Sequence, residues 1–105
     1  MKINQYKLKD NVTINDLLED GFRYSVDMKF LSKSIYLKSP VSIWIKVSLT
    51  NLKATIEVLD DDWLQYYIPF YDYQEGNIKG FKFLNQIINK YNEEMSKLKC
   101  FEMEE

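Results

Sequence analysis

The residues best suited to chemistry gather between positions 60 and 75. Asp60, Asp61 and Asp62 form a run of three carboxylates, and carboxylate oxygens are the ligands that magnesium, calcium or manganese prefers. Adjacent residues seldom aim all their side chains at one ion, and calcium loops space their ligands around a glycine bend that this run lacks. A solvated turn is therefore expected, with Trp63 beside it making an acidic-aromatic contact point. Trp63, Tyr66, Tyr67, Phe70, Tyr71 and Tyr73 then place six aromatics within eleven residues. Tyrosine and tryptophan bury a large rigid area while keeping a polar tip satisfied, which suits a protein interface. If the segment is extended, one alternating set faces a partner protein or a second copy of the chain. If Pro69 breaks it, both sets pack beneath helix ends. Stacking platforms for single-stranded nucleic acid pair their rings with a basic groove; here Asp60–Asp62, Asp72 and Glu75 would repel phosphate.

A second constellation is basic. Arg23, Lys29, Trp44 and Lys46 fall on the polar side of strand-like segments, with Lys33 and Lys38 nearby and Asp27 diluting the charge. Cations around an exposed tryptophan are the alternative nucleic-acid face, although a plain solvated sheet face, with lysines guarding its edges, looks the same. Gly76 to Gly80 lacks the spacing and the Lys-Ser/Thr end of a phosphate loop. Glu93 and Glu94 diverge by about 100° on a helix and cannot work as an acid–base pair. Cys100 has Lys97 and Lys99 nearby to lower its pKa but neither a base nor a resolving thiol. With no histidine and one cysteine, zinc sites built on histidine and Cys–His dyads are excluded. An enzyme is not expected, and no metal or cofactor is implied.

These side chains must be held by a single domain. The chain has 105 residues, 46% hydrophobic and 15% aromatic, with a net charge of -2, enough for one real core and too acidic for a general nucleic-acid binder. A lone thiol cannot close an internal disulfide, which points to a reducing compartment, the cytoplasm. Met1 to Asp10 shows no signal peptide. No apolar run approaches the roughly 18–20 residues that span a bilayer, so no membrane is expected as a partner. Charge is split: residues 1–53 balance at +4 and residues 54–105 at -6, as two differently charged faces, or chains meeting head to tail, would require.

The periodicities assign the elements. Met1 to Lys9 is weakly strand-like, and Thr13 to Asp16 starts a two-turn helix stopped by Gly21. Phe22 to Phe30 alternates as one strand, Ser32 to Ser34 reads as a turn, and Ile35 to Leu37 extends a hairpin arm that Ser39-Pro40 interrupts. Val41 to Leu49 and Ala54 to Leu59 are further strands. Trp63 to Tyr73, with Pro69 in its middle, reads as an edge-like strand or ordered loop, and Gln74 to Gly80 as a turn. From about Phe81 to Leu98, apolar residues recur on one helical stripe over about 27 Å. The expected fold is α+β: a single antiparallel sheet of four to five strands, with a short N-terminal and a long C-terminal helix packed on one face. The order is β-α-β-β-β-β-α, in a single domain over residues 1–105 with 102–105 as a frayed tail.

Phe, Tyr, Met, Ile, Asn and Lys supply 49 of 105 residues, and 13 lysines stand against one arginine, a usage typical of AT-rich genomes. The opening Thr13–Leu17–Gly21-Phe22 and the closing Pro69-Phe70-Tyr71 before a long Ile/Tyr helix resemble short uncharacterised proteins of low-GC Gram-positive bacteria and their phages and mobile elements. That resemblance brings no active site. The residues themselves leave two expectations: a non-enzymatic interaction protein, of the phage or mobile-element accessory kind, that binds a host protein or itself through Trp63–Glu75 and the adjoining carboxylates, and as the alternative a nucleic-acid-associated module.

Overall fold

The structure, a computed structural model, describes residues 1–104. In chain order it comprises β1 (Tyr6–Leu8), α1 (Ile14–Glu19), β2 (Arg23–Tyr24), β3 (Phe30–Lys38), β4 (Val41–Ser48) and β5 (Ala54–Asp60). There follow β6 (Gln65–Tyr66), α2 (Ile68–Gln74), α3 (Lys82–Lys97) and β7 (Phe101–Met103). Five strands form one antiparallel sheet in the order β2-β3-β4-β5-β6, and β1 pairs antiparallel with β7 in a separate ribbon. The α+β class and the helix packed on one sheet face are as the periodicities require.

Each long element follows from its pattern. Val41, Ile43, Ile45 and Val47 alternate along β4 and are fully buried, because they meet the stripe of Leu84, Ile87, Ile88, Tyr91 and Met95 on α3. The start of α1 is a reciprocal cap. Thr13 Oγ1 accepts the Asp16 N–H at 3.1 Å, and the Asp16 carboxylate accepts the Thr13 N–H at 3.0 Å. Hydrogen bonding by Thr13, its main-chain N–H first, holds the Asp16 carboxyl below its ordinary range. Gly21 then turns the chain at φ +97°, which leads Phe22 into the core against Phe101.

Several expectations are overturned. Phe22 to Phe30 is not one strand: only Arg23–Tyr24 pair with β3, and residues 25–29 form a turn. The Asp27 carboxylate accepts from the Ser25 hydroxyl at 2.6 Å and from the Lys29 N–H at 3.0 Å, and Met28 takes φ +60°. Side-chain capping thus defeats the alternation, and Val26 stands fully exposed. The turn expected at Ser32 to Ser34 is the middle of β3, and the reversal falls at Ser39-Pro40, a cis peptide.

Trp63 to Tyr73 is an edge strand only at the two-residue β6; a turn precedes it and α2 follows, with Pro69 in its first turn. Proline fits there because its missing N–H would have had no helical partner. The C-terminus is not frayed at 102 and 103, since β7 pairs with β1. The observed order is β-α-β-β-β-β-β-α-α-β.

Candidate interaction surface

α1, α2, α3 and the β1–β7 ribbon all contribute to the core on one face of the five-stranded sheet, and the opposite face is left uncovered. Its composition follows from register. Ser34, Trp44 and Glu57 lie side by side across β3, β4 and β5. The next row holds Tyr36, Ser42, Leu59 and Tyr66, and the row on the other side of Trp44 holds Arg23, Ser32, Lys46 and Thr55. Tyr36 is 64% exposed, Tyr66 50% and Trp44 37%, and the Tyr66 ring lies edge-on to Tyr71 with ring centres 5.3 Å apart. Phe30, one row further, carries the Lys46 ammonium 5.9 Å from its ring centre.

The three carboxylates diverge. Asp61 accepts the Ser42 hydroxyl at 2.5 Å, which explains how a serine is buried in the middle of this face. Asp60 accepts the Asp62 N–H at 3.0 Å and closes the turn. Among the described residues no three His, Cys, Asp or Glu side chains are grouped to hold a metal ion. Trp63 and Leu64 sit at the tip of that turn, 73% and 78% exposed.

The six aromatics divide according to the helix that interrupts them. Tyr67 packs edge-on to Phe83, and Phe70 edge-on to Tyr91. Tyr71, half-buried, uses its hydroxyl to accept the Val58 main-chain N–H at 2.9 Å. Tyr73 donates to the Met1 carbonyl at 2.7 Å. These four therefore tie α2 to the rest of the fold; Trp63 and Tyr66 are exposed, Tyr66 with its ring edge-on to Tyr71. Burial raises the pKa of Tyr67 and of Tyr71, whereas Tyr66 is raised first by its hydrogen bond to Glu57.

Of the basic set, Arg23, Trp44 and Lys46 share the uncovered face, while Lys29 lies in the turn before β3. Lys33 points to the other side, donating to the Asp20 carbonyl at 2.8 Å, and Lys38 donates to Gln86 on α3. Neither adds charge to the face. Tyr36, Leu59 and Phe30 were not singled out from sequence. Once β3 is taken as continuous from 30 to 38, period two puts Phe30 and Tyr36 in phase with Ser32 and Ser34; a turn placed at 32–34 destroys that phase.

A separate groove of about 380 Å³ lies on the covered side, between β1, β5, α2 and α3. Ala54, Ile56, Val58 and Phe70 supply its apolar wall, and Tyr6, Tyr71 and Tyr91 line it with hydroxyl-bearing rings.

No family model, no curated protein and no solved structure matches this chain.

Proposed function

We propose that the chain is a non-enzymatic protein-binding module that docks on its partner through the uncovered sheet face and the acidic-aromatic turn at its end. One observation carries this reading: Tyr36, Trp44 and Tyr66 are exposed on the outward side of β3, β4 and β6, with the half-buried Leu59 of β5 beside Tyr66, and the Tyr66 ring meets a helix, edge-on to Tyr71. Exposed large apolar side chains grouped in this way mark interaction sites. Trp63 and Leu64 extend the group, and Glu57, Asp61 and Asp62 give it an acidic end suited to a partner carrying basic residues. The lone cysteine is buried at Cys100, in keeping with a cytoplasmic protein, and an accessory factor of a phage or mobile element fits the residue usage. Among the described residues no helix is long and apolar enough to cross a membrane.

The test is binding by paired variants. Tyr36→Ser and Trp44→Ser should each weaken capture of the partner from the producing cell tenfold or more. Lys90→Ala, on the exposed side of α3, should leave it unchanged. Equal capture by all three would defeat the reading.

A second reading, nucleic-acid association, has its own observation: Arg23 and Lys46 lie on the same face as Trp44. Glu57 directly opposite Trp44 and the carboxylates beyond it work against phosphate. Oligonucleotide binding that weakens with salt and is lost in Lys46→Glu would favour this reading. The absence of a salt-dependent signal would end it.

A further inference from the structure

Main-chain groups in the groove have no partner of their own. Along the antiparallel β4–β5 pair, hydrogen-bonded and non-bonded residue pairs alternate. Ser48 N–H donates to the Lys53 carbonyl, and Asp61 N–H to the Pro40 carbonyl. Thr55, Glu57 and Leu59 therefore bond to β4, while Ala54, Ile56, Val58 and Asp60 turn their N–H and C=O toward the outer edge. Asp60 meets Gln65 on β6. Val58 is satisfied on both sides, its carbonyl by the Tyr67 N–H at 2.9 Å and its N–H by the Tyr71 hydroxyl. There the chain leaves the sheet for α2, and nothing among the described residues stands opposite Ala54 or Ile56.

The same accounting applies to the facing ribbon. Lys9 N–H donates to Cys100 and Glu104 N–H to Gln5, so Tyr6 and Leu8 turn their N–H and C=O away from β7. Tyr6, Lys7 and Leu8 line the groove together with Ala54 and Ile56. The Tyr91 ring is buried and forms part of the groove's lining. One groove thus holds two strand edges with unused donors and acceptors, an arrangement that invites an added strand.

We infer that this groove receives an extended segment of another polypeptide, which joins β5 as a further antiparallel strand through the main chain of Ala54 and Ile56. This goes beyond the outer-face reading and stands independently of it. Alternate side chains of the segment would face Ala54, Ile56, Val58 and Phe70, so every second one is apolar. Running antiparallel to β5, its N-terminal end lies at the mouth formed by Gln5, Gln74 and Glu104. Charge complementarity then places a basic residue near Glu104, while Lys7 already has Glu102 at 3.9 Å across the ribbon.

The experiment selects a displayed library of random nonapeptides on the whole protein and follows the best binder, as a synthetic peptide, by amide hydrogen exchange. The expected peptides alternate apolar and polar residues with a basic N-terminal end. Their binding slows exchange at Ile56 tenfold or more and leaves Thr55 and Glu57 unchanged. Ile56→Pro removes an N–H that the fold itself does not use and should weaken binding at least tenfold, whereas Tyr36→Ser should not affect it. Selection on Glu104→Lys should enrich acidic N-terminal ends, which keeps the inference testable if Ile56→Pro fails to fold. No enrichment, binding indifferent to the Ile56 N–H, or loss of binding in Tyr36→Ser would each overturn it; only the last would point back to the outer face.

Discussion

Asp20 shows how much one side chain joins across the chain. Its carboxylate accepts the main-chain N–H groups of Lys99 and Cys100, each at 3.0 Å, and its own carbonyl accepts Lys33. The end of α1 is thereby pinned both to the turn that starts β7 and to β3. Asp20→Ala should cost about 1.5–3 kcal/mol, the range for hydrogen bonds to a charged group, measured by urea unfolding. The same residue bears on the thiol. Lys97 and Lys99 suggest from sequence a lowered Cys100 pKa, but burial, followed by Asp20, pushes it up to about 11. The Lys97 ammonium is engaged instead by Glu94 and Glu93, both at 3.4 Å. A raised acid pKa stabilises the fold below the unfolded value of 9.0, and that contribution is lost as pH rises towards 11. Asp20→Asn should let the thiolate form at lower pH, followed by ultraviolet absorbance; an unchanged titration would contradict the role given to Asp20. Nothing in the spacing of residues 79 and 80 positions apart reveals this contact.

The elements differ in how far sequence exposes them, for physical reasons. β4 and α3 are readable because each buries one uninterrupted stripe with a single period. α1 is readable because its start carries a local capping signal, and Thr13→Ala should lower stability by about 1 kcal/mol. The Phe22–Phe30 segment misleads because Asp27 bonds its own neighbours and bends a chain whose alternation is sound. α2 is missed because Pro69 reads as a strand breaker and its fitness for a first helical turn shows only in context. α2 is held to β5 by the Tyr71 hydroxyl, so Tyr71→Phe, which leaves the Val58 N–H unpaired, should cost about 1–3 kcal/mol. At the layer contact, Ile87→Ala should cost about 2–5 kcal/mol. A loss below 1 kcal/mol in thermal or urea unfolding would show that α3 is not packed on the sheet.

At the scale of the whole molecule, the extents are 39 × 31 × 19 Å. The shortest dimension has room for only two layers at about 10 Å each. A sheet with helices on one side must therefore present its other side to the surroundings, and this chain places Tyr36, Trp44, Leu59 and Tyr66 there. The charge asymmetry of the sequence survives as Arg23 and Lys46 toward one end of that face and Glu57 and Asp61 toward the other. Of the candidate site, Trp44, Lys46, Arg23, Trp63, Tyr66 and the carboxylates were accessible from sequence, while Tyr67, Phe70, Tyr71 and Tyr73 proved to be fixtures of α2. The most direct measurement places a photo-crosslinking amino acid at position 36, and in a second protein at position 90 on the exposed side of α3, within the producing cell. The expected result is a discrete adduct to one protein from position 36 and none from position 90. Adducts from position 90 alone, or the same adducts from both, would contradict an interaction surface on the open sheet.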